Sequence, residues 1–175
     1  YSEEDMTLSI AKAENHITLE PLREITEGDS IYLSAHSNSG EEVFFKVIHG
    51  NAWFIKNKLE YNGPGKILFM MTEPGNGSYE PADTIRMELC INPRKPVISA
   101  DTLSGTVRLN SSSTNNNHWY VNHIFTGHTD KTIIPVAEGI YTLQVVTKGC
   151  FSEFSGQYHY ISTYDETISS QNFTV

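Results

Sequence analysis

The chain has 175 residues, a formal net charge of −9 at pH 7, 38% hydrophobic and 19% charged residues. This is a globular composition with room for one or two domains. The acidic balance has the wrong sign for a phosphate backbone, no basic amphipathic stretch suits an anionic bilayer, and no apolar run approaches about eighteen residues, so neither nucleic acid nor membrane insertion is expected. Ser, Thr and Asn supply about a quarter of the chain, the usage of β-rich extracellular modules.

Helical periodicity is nearly absent; a stretch from Glu3 to Glu14 is short and poorly patterned. Period-two alternation recurs instead. Ile31, Leu33 and Ala35 share one face of a predicted strand, and Val43, Phe45 and Val47 share one face of the next, Glu42 to His49. Trp53 and Ile55 point one way from a further strand, Ala52 and Phe54 the other. Lys58 to Tyr61, Lys66 to Thr72 (with Phe69) and Thr84 to Ile91 follow. Gly, Pro, Asn and Ser cluster between these runs, as at Asn62-Gly63-Pro64-Gly65 and Glu73-Pro74-Gly75-Asn76-Gly77, and this spacing predicts a sandwich or barrel.

Asn92-Pro93-Arg94-Lys95-Pro96 interrupts the pattern. Two prolines in five residues cannot continue a central strand, so residues 93–96 read as a short, stiff linker between a domain over 10–92 and a second over 97–163. Strands are predicted there at Val97 to Ala100, Gly105 to Asn110, Asn117 to Asn122, Lys131 to Pro135, Gly139 to Thr147 and Gln157 to Ser162. The fold class is all-β: two tandem immunoglobulin-like antiparallel β-sandwich domains. In the second, Trp119 sits mid-strand as the core tryptophan of such a sandwich. Tyr141 opens a G-x-Y segment in which Leu143 takes the usual cysteine position, and Val107 or Leu109 is its apolar partner. Cys90 and Cys150, the two cysteines, fall in different predicted domains, and a bridge or two free thiols both stay open.

Two resemblances follow from particular residues. His118-Trp-Tyr-Val-Asn122, Gly139-Ile-Tyr-Thr-Leu-Gln-Val145, Lys148-Gly-Cys-Phe-Ser152 and Ser155 resemble Ig-like domains repeated in secreted and surface proteins of Bacteroidetes, over about residues 96–162. Members often carry an early cysteine that pairs with the G-C cysteine; Leu103 occupies that region here. Lys12-Ala13, Ile17-Thr18-Leu19, Gly28-Asp29, Ala35 to Gly40, Val47 to Ala52, Lys56 to Leu59, Gly63-Pro-Gly65 and Gly75 to Ala82 resemble a second repeat of the same kind of protein, found in adhesins. The resemblance implies that residues 1–9 are a linker or the last strand of a preceding module. It implies that 164–175 form an acidic linker toward a missing C-terminal domain of the type IX secretion kind. Secretion or cell-surface display is the expected location, with neighbouring domains of the same polypeptide as partners.

Chemistry is sparsely encoded. His118, His123 and His128 are five apart, which alternates faces on a strand, so no transition-metal site is expected. Calcium is the one conceivable ion: Glu27, Asp29, Glu41, Glu42, Glu73 and Asp83 lie near turns, but no D-x-D-x-D-G loop is present. There is neither a G-x-S-x-G elbow nor a G-K-[ST] phosphate loop. No cofactor and no catalysis are expected of this fragment, whatever the parent protein does. The expected role is a spacer or stalk. The alternative is an adhesin or carbohydrate-binding module that recognises polysaccharide or host and surface glycans through Trp53, Tyr120, Tyr158 and Tyr160. Tyr32 and Phe44 also alternate with core positions.

Overall fold

A computed structural model describes residues 10–162. The predicted segments at 1–9 and 164–175 therefore lie outside the described residues. All regular structure among the described residues is β; it contains no helix. The chain divides into two compact units. One runs through Arg94 and also takes Thr147–Phe151; the other holds Lys95–Val146 and resumes at Ser152. The turn around Cys150 thus belongs with the first unit rather than within the second domain where its sequence position puts it.

The first unit contains β1 (Ile17–Leu19), β2 (Ile25–Thr26), β3 (Ile31–Tyr32), β4 (Ala35–Ser37), β5 (Phe44–His49), β6 (Ala52–Ile55), β7 (Lys58–Tyr61), β8 (Gly65–Thr72) and β9 (Ile85–Asn92). They form a four-stranded sheet in the order β2-β9-β8-β5, a three-stranded sheet β3-β7-β6, and the pair β1-β4. Pairing is antiparallel except that β2 runs parallel to β9. Alternation decides what is inside. Ile67, Phe69 and Met71 of β8, Leu89 and Ile91 of β9, and Ile31, Leu33 and Leu59 are buried in one cluster, against which Phe45 and Phe54 pack partly buried. Phe54 stacks between Phe45 and Phe69, with centroids at 5.2 and 5.7 Å. Each such side chain contributes about 1.5–3 kcal/mol by leaving water. A bulge between Val47 and His49 shifts the β5 register and leaves Ile48 and His49 both exposed.

One end of this unit is closed by polar groups. Glu73 is 2% exposed, and its carboxylate accepts hydrogen bonds from the Asn15 amide, from Ser39 Oγ (3.2 Å) and from the Gly75 amide (3.0 Å). Gly75 has φ +73°, and a Cβ there would lie 2.6 Å from Tyr79 O, so the turn accepts only glycine. Asn76 Oδ1 then accepts from the Ser78 and Tyr79 amides, and the Ala82 amide returns to Glu73 O. A buried carboxylate is tolerated only when its lone pairs are filled. Glu73→Gln turns one acceptor into a donor facing other donors. We expect a loss of about 2 kcal/mol in urea unfolding, with little change in native circular dichroism. A variant as stable as the parent would show that the network is incidental.

The strands after Arg94 are β10 (Ile98–Leu103), β11 (Thr106–Ser111), β12 (Asn117–Val121), β13 (Ile124–Phe125), β14 (Thr132–Ile133), β15 (Gly139–Thr147), β16 (Cys150–Phe151) and β17 (Tyr158–Tyr160), all of the second unit except Thr147 and β16, which group with the first. The sheets are β10-β11-β14 and β13-β12-β15-β16, with β17 also pairing β15. Trp119, Leu109, Leu143, Tyr141 and Ile133 are buried together, with Val107, Tyr158 and Tyr160 packed partly buried against them. Trp119 Nε1 donates to Asp130 O at 2.8 Å, and Tyr141 Oη donates to Ala137 O at 2.9 Å. Both large rings therefore bury without an unpaired polar atom.

Two serines explain the segment between β16 and β17. Ser152 Oγ accepts from the Val145 amide and Ser155 Oγ from the Leu143 amide, both at 2.9 Å. The Ser152 and Ser155 amides return bonds to Val145 O and Leu143 O. Side-chain hydroxyls thereby satisfy β15 amides where the chain is too irregular to form a strand.

On the outer face of β10 and β11, Arg108 Nε donates to Asp101 at 2.8 Å and Asn110 adds a bond at 2.9 Å. The Arg108 bond holds the Asp101 carboxyl below the ordinary aspartate range despite some desolvation, and Asn110 reinforces it. A depressed folded-state pKa means that any stabilisation is present above the unfolded value and disappears as pH falls through the folded one. Arg108→Gln is expected to raise the Asp101 midpoint in an NMR titration; an unmoved midpoint would remove Arg108 as the cause.

The structure also decides the cysteines. Cys90 and Cys150 form a disulfide, with Cα atoms 5.6 Å apart. Assignment to separate domains is corrected here, because the 147–151 turn is grouped with β9.

Candidate functional site

In the first unit, Trp53 and Ile55 project outward from β6 at 50% and 58% exposure, while Ala52 and Phe54 turn to the core. Register places Trp53 opposite Glu60 and Ile55 opposite Lys58, and Lys58 in turn opposite Tyr32. Lys58 Nζ lies 2.6 Å from Glu60 Oε1 and 5.9 Å from the Tyr32 ring centroid. Glu60, by hydrogen bond and charge, raises the Lys58 pKa, so the ammonium stays charged. The outer face of β3-β7-β6 is therefore a half-exposed indole and an exposed phenol flanking an ion pair. Phe44, at 52% exposure, belongs to the other sheet.

The second unit treats its predicted residues differently. Tyr120 lies on the outer face of β12. Tyr158 and Tyr160 do not join it: β17 pairs Tyr158 with Tyr141 and Tyr160 with Gly139, and both rings pack against the core, with Tyr160 edge-on to Tyr141. The outward alternation expected for them is corrected; His159 takes the exposed position. Tyr120 instead meets Phe125 (5.6 Å) and Phe154 (5.2 Å), and Phe125 stacks on His118 at 4.9 Å. Phe125 and Phe154 were not legible as surface residues. Phe154 carried a signal nonetheless, standing between two serines whose side chains turn inward.

The acidic residues considered for calcium are dispersed. Asp29 Oδ2 accepts from Arg23 and the Thr26 amide, Glu73 is in the buried network, and Glu41 meets Asn76. Among the described residues no group of three or more His, Cys, Asp or Glu is placed to hold a metal ion. An open groove of about 500 Å³ in the first unit has Leu33, Val43 and Phe45 among its apolar lining residues and Glu42, His36 and Lys56 among its polar ones. It gathers charge of both signs, and Ser34 and Ser37 also line it, the Ser37 hydroxyl being hydrogen-bonded to Ser39 Oγ and Glu41 O.

Comparison with protein families finds no family model that matches the chain, and comparison with curated proteins finds no match either.

Proposed function

We propose that the chain is a pair of tandem immunoglobulin-like β-sandwich modules serving as a non-catalytic extracellular spacer in a larger secreted or surface-anchored bacterial protein. The strand pairing supports the module assignment. β2-β9-β8-β5 against β3-β7-β6 has the four-plus-three division of such a sandwich, and its parallel β2-β9 contact suits a first strand that switches sheets. In the second unit, a buried Trp on β12 and a Tyr whose hydroxyl returns to backbone four residues upstream match the hallmarks of the fold. The resemblance to Bacteroidetes surface repeats points the same way.

The observation that carries the reading is the Cys90–Cys150 bridge. Structural disulfides persist in oxidising compartments and are rare where thiols are kept reduced. Glu73, Asn15, Ser152 and Ser155 are committed to closing turns and strand edges. The test is alkylation of protein collected from the producing cells, read by intact mass. Two unreactive cysteines before reduction and two reactive ones after are expected. Two thiols open to alkylation in the native protein would overturn the extracellular assignment.

Carbohydrate binding on the first unit is the second reading, favoured by the half-exposed Trp53 beside Glu60 and Lys58. A glycan array with Trp53→Ala as control separates the two. A signal abolished by Trp53→Ala supports the binding module on the first unit, and an array on which Trp53→Ala changes nothing leaves that unit to the spacer role.

A further inference from the structure

We infer that the outer face of β12 and β15 in the second unit is a binding site for an uncharged carbohydrate, built from Phe125, Tyr120 and Phe154 with Thr142 as its polar anchor. Three observations carry this.

First, the rings are contiguous and open. Phe125 and Phe154 are 44% and 47% exposed and flank Tyr120, their planes inclined to it by 51° and 75°. Phe154 meets Tyr120 edge-to-face and Phe125 is tilted to it, so the three rings form one continuous aromatic surface, whose exposed parts suit the C–H surfaces of a pyranose. His118 stacks on Phe125 at one end and fixes its orientation.

Second, a polar group beside these rings has no partner. Thr142 is opposite Tyr120 in register and shares its face, yet it is 6% exposed and its hydroxyl makes no hydrogen bond. A desolvated, unpaired hydroxyl costs about 1–3 kcal/mol, which a ligand hydroxyl bound to it recovers. Gln144, beside Thr142 on this face and opposite His118, has its amide nitrogen held by Ser152 O at 2.8 Å, which leaves its carbonyl oxygen as an acceptor.

Third, size and charge favour a small neutral ligand over a protein. A phenylalanine buries about 150–250 Å² in all, so these two rings offer on the order of 200 Å² of open apolar surface, against about 800 Å² per partner in a stable protein interface. Tyr120, Phe125, Phe154, Thr142 and Gln144 have uncharged side chains, although the chain carries −9.

The experiment is affinity electrophoresis of the full chain in gels containing xyloglucan, galactomannan or dextran, followed by calorimetry with the matching hexasaccharide. Retardation by at least one polysaccharide is expected. Phe154→Ala and Phe125→Ala should each weaken binding about tenfold, the loss of one aromatic contact of roughly 1.4 kcal/mol. Both positions are surface-exposed, so the thermal midpoint should hold. Thr142→Val should weaken binding several-fold without lowering that midpoint, and Trp53→Ala should bind as the parent does.

No retardation in any gel overturns the inference. Retardation lost in Trp53→Ala and kept in Phe154→Ala does so as well, since it moves the site to the first unit while leaving the module assignment intact. Parental affinity in Thr142→Val removes the anchor and with it the site as stated. A monomer–dimer equilibrium in sedimentation, abolished by Phe154→Ala, would make the face a self-association surface instead.

Discussion

Reduction of the Cys90–Cys150 bridge, or Cys90→Ser with Cys150→Ser, is expected to lower the free energy of unfolding by about 4 kcal/mol. The bridge spans 60 residues, and a closed loop of that length removes roughly this much entropy cost from folding by restricting the unfolded chain. Cys150 is fully buried, so the substitution also leaves a small packing deficit. The 147–151 turn should loosen from β9, with faster amide exchange at Lys148 and Gly149. Urea unfolding with and without reductant measures the first effect and hydrogen exchange the second. A midpoint that reductant does not move would show that the unfolded chain gains nothing from the cross-link.

Trp119→Ala is the second large effect, with an expected loss of about 3–5 kcal/mol from the unit that holds it. The ring is 0% exposed at the centre of its cluster. It also organises the loop after β13: Nε1 donates to Asp130 O, the Trp119 amide to His128 O, and the Trp119 carbonyl accepts from Thr126. Trp119→Phe keeps much of the apolar surface but orphans Asp130 O, and should cost about 1–3 kcal/mol. The remaining tryptophan, Trp53, is half-exposed, so native fluorescence of either variant should shift to the red. A cost under 1 kcal/mol for Trp119→Ala would remove Trp119 from its central place in the core.

The long strands were legible in the sequence because alternation needs length to show. β8, β9 and β15 each run eight or nine residues, and their inward sets could be read directly. β2 and β13 have two residues each, too few for any period, and what defines them is a partner strand far away or a local turn. Surface positions were harder. Alternation separates Trp53 and Ile55 from Ala52 and Phe54, but which pair faces out is settled only by the packing of Phe54 between Phe45 and Phe69. Tyr158 and Tyr160 pack inward instead of outward because alternation over three residues does not say which set faces the core, and pairing on β15 turns His159 out. Phe125 and Phe154 became a surface group only through pairing of Phe125 with Tyr120 and through the inward turn of Ser152 and Ser155. The disulfide was undecided for a similar reason. Nothing local in Lys148-Gly149-Cys150 tells which unit that turn joins.

The serine hydroxyls along β15 have a consequence for behaviour in concentrated solution. A stretch of strand with open amides invites a foreign strand to lie alongside it, the first step toward fibrils. Here the Leu143 and Val145 amides are already occupied, by groups that cannot be extended into a ladder. Copies of the protein crowded together are kept apart along that margin by two oxygen atoms.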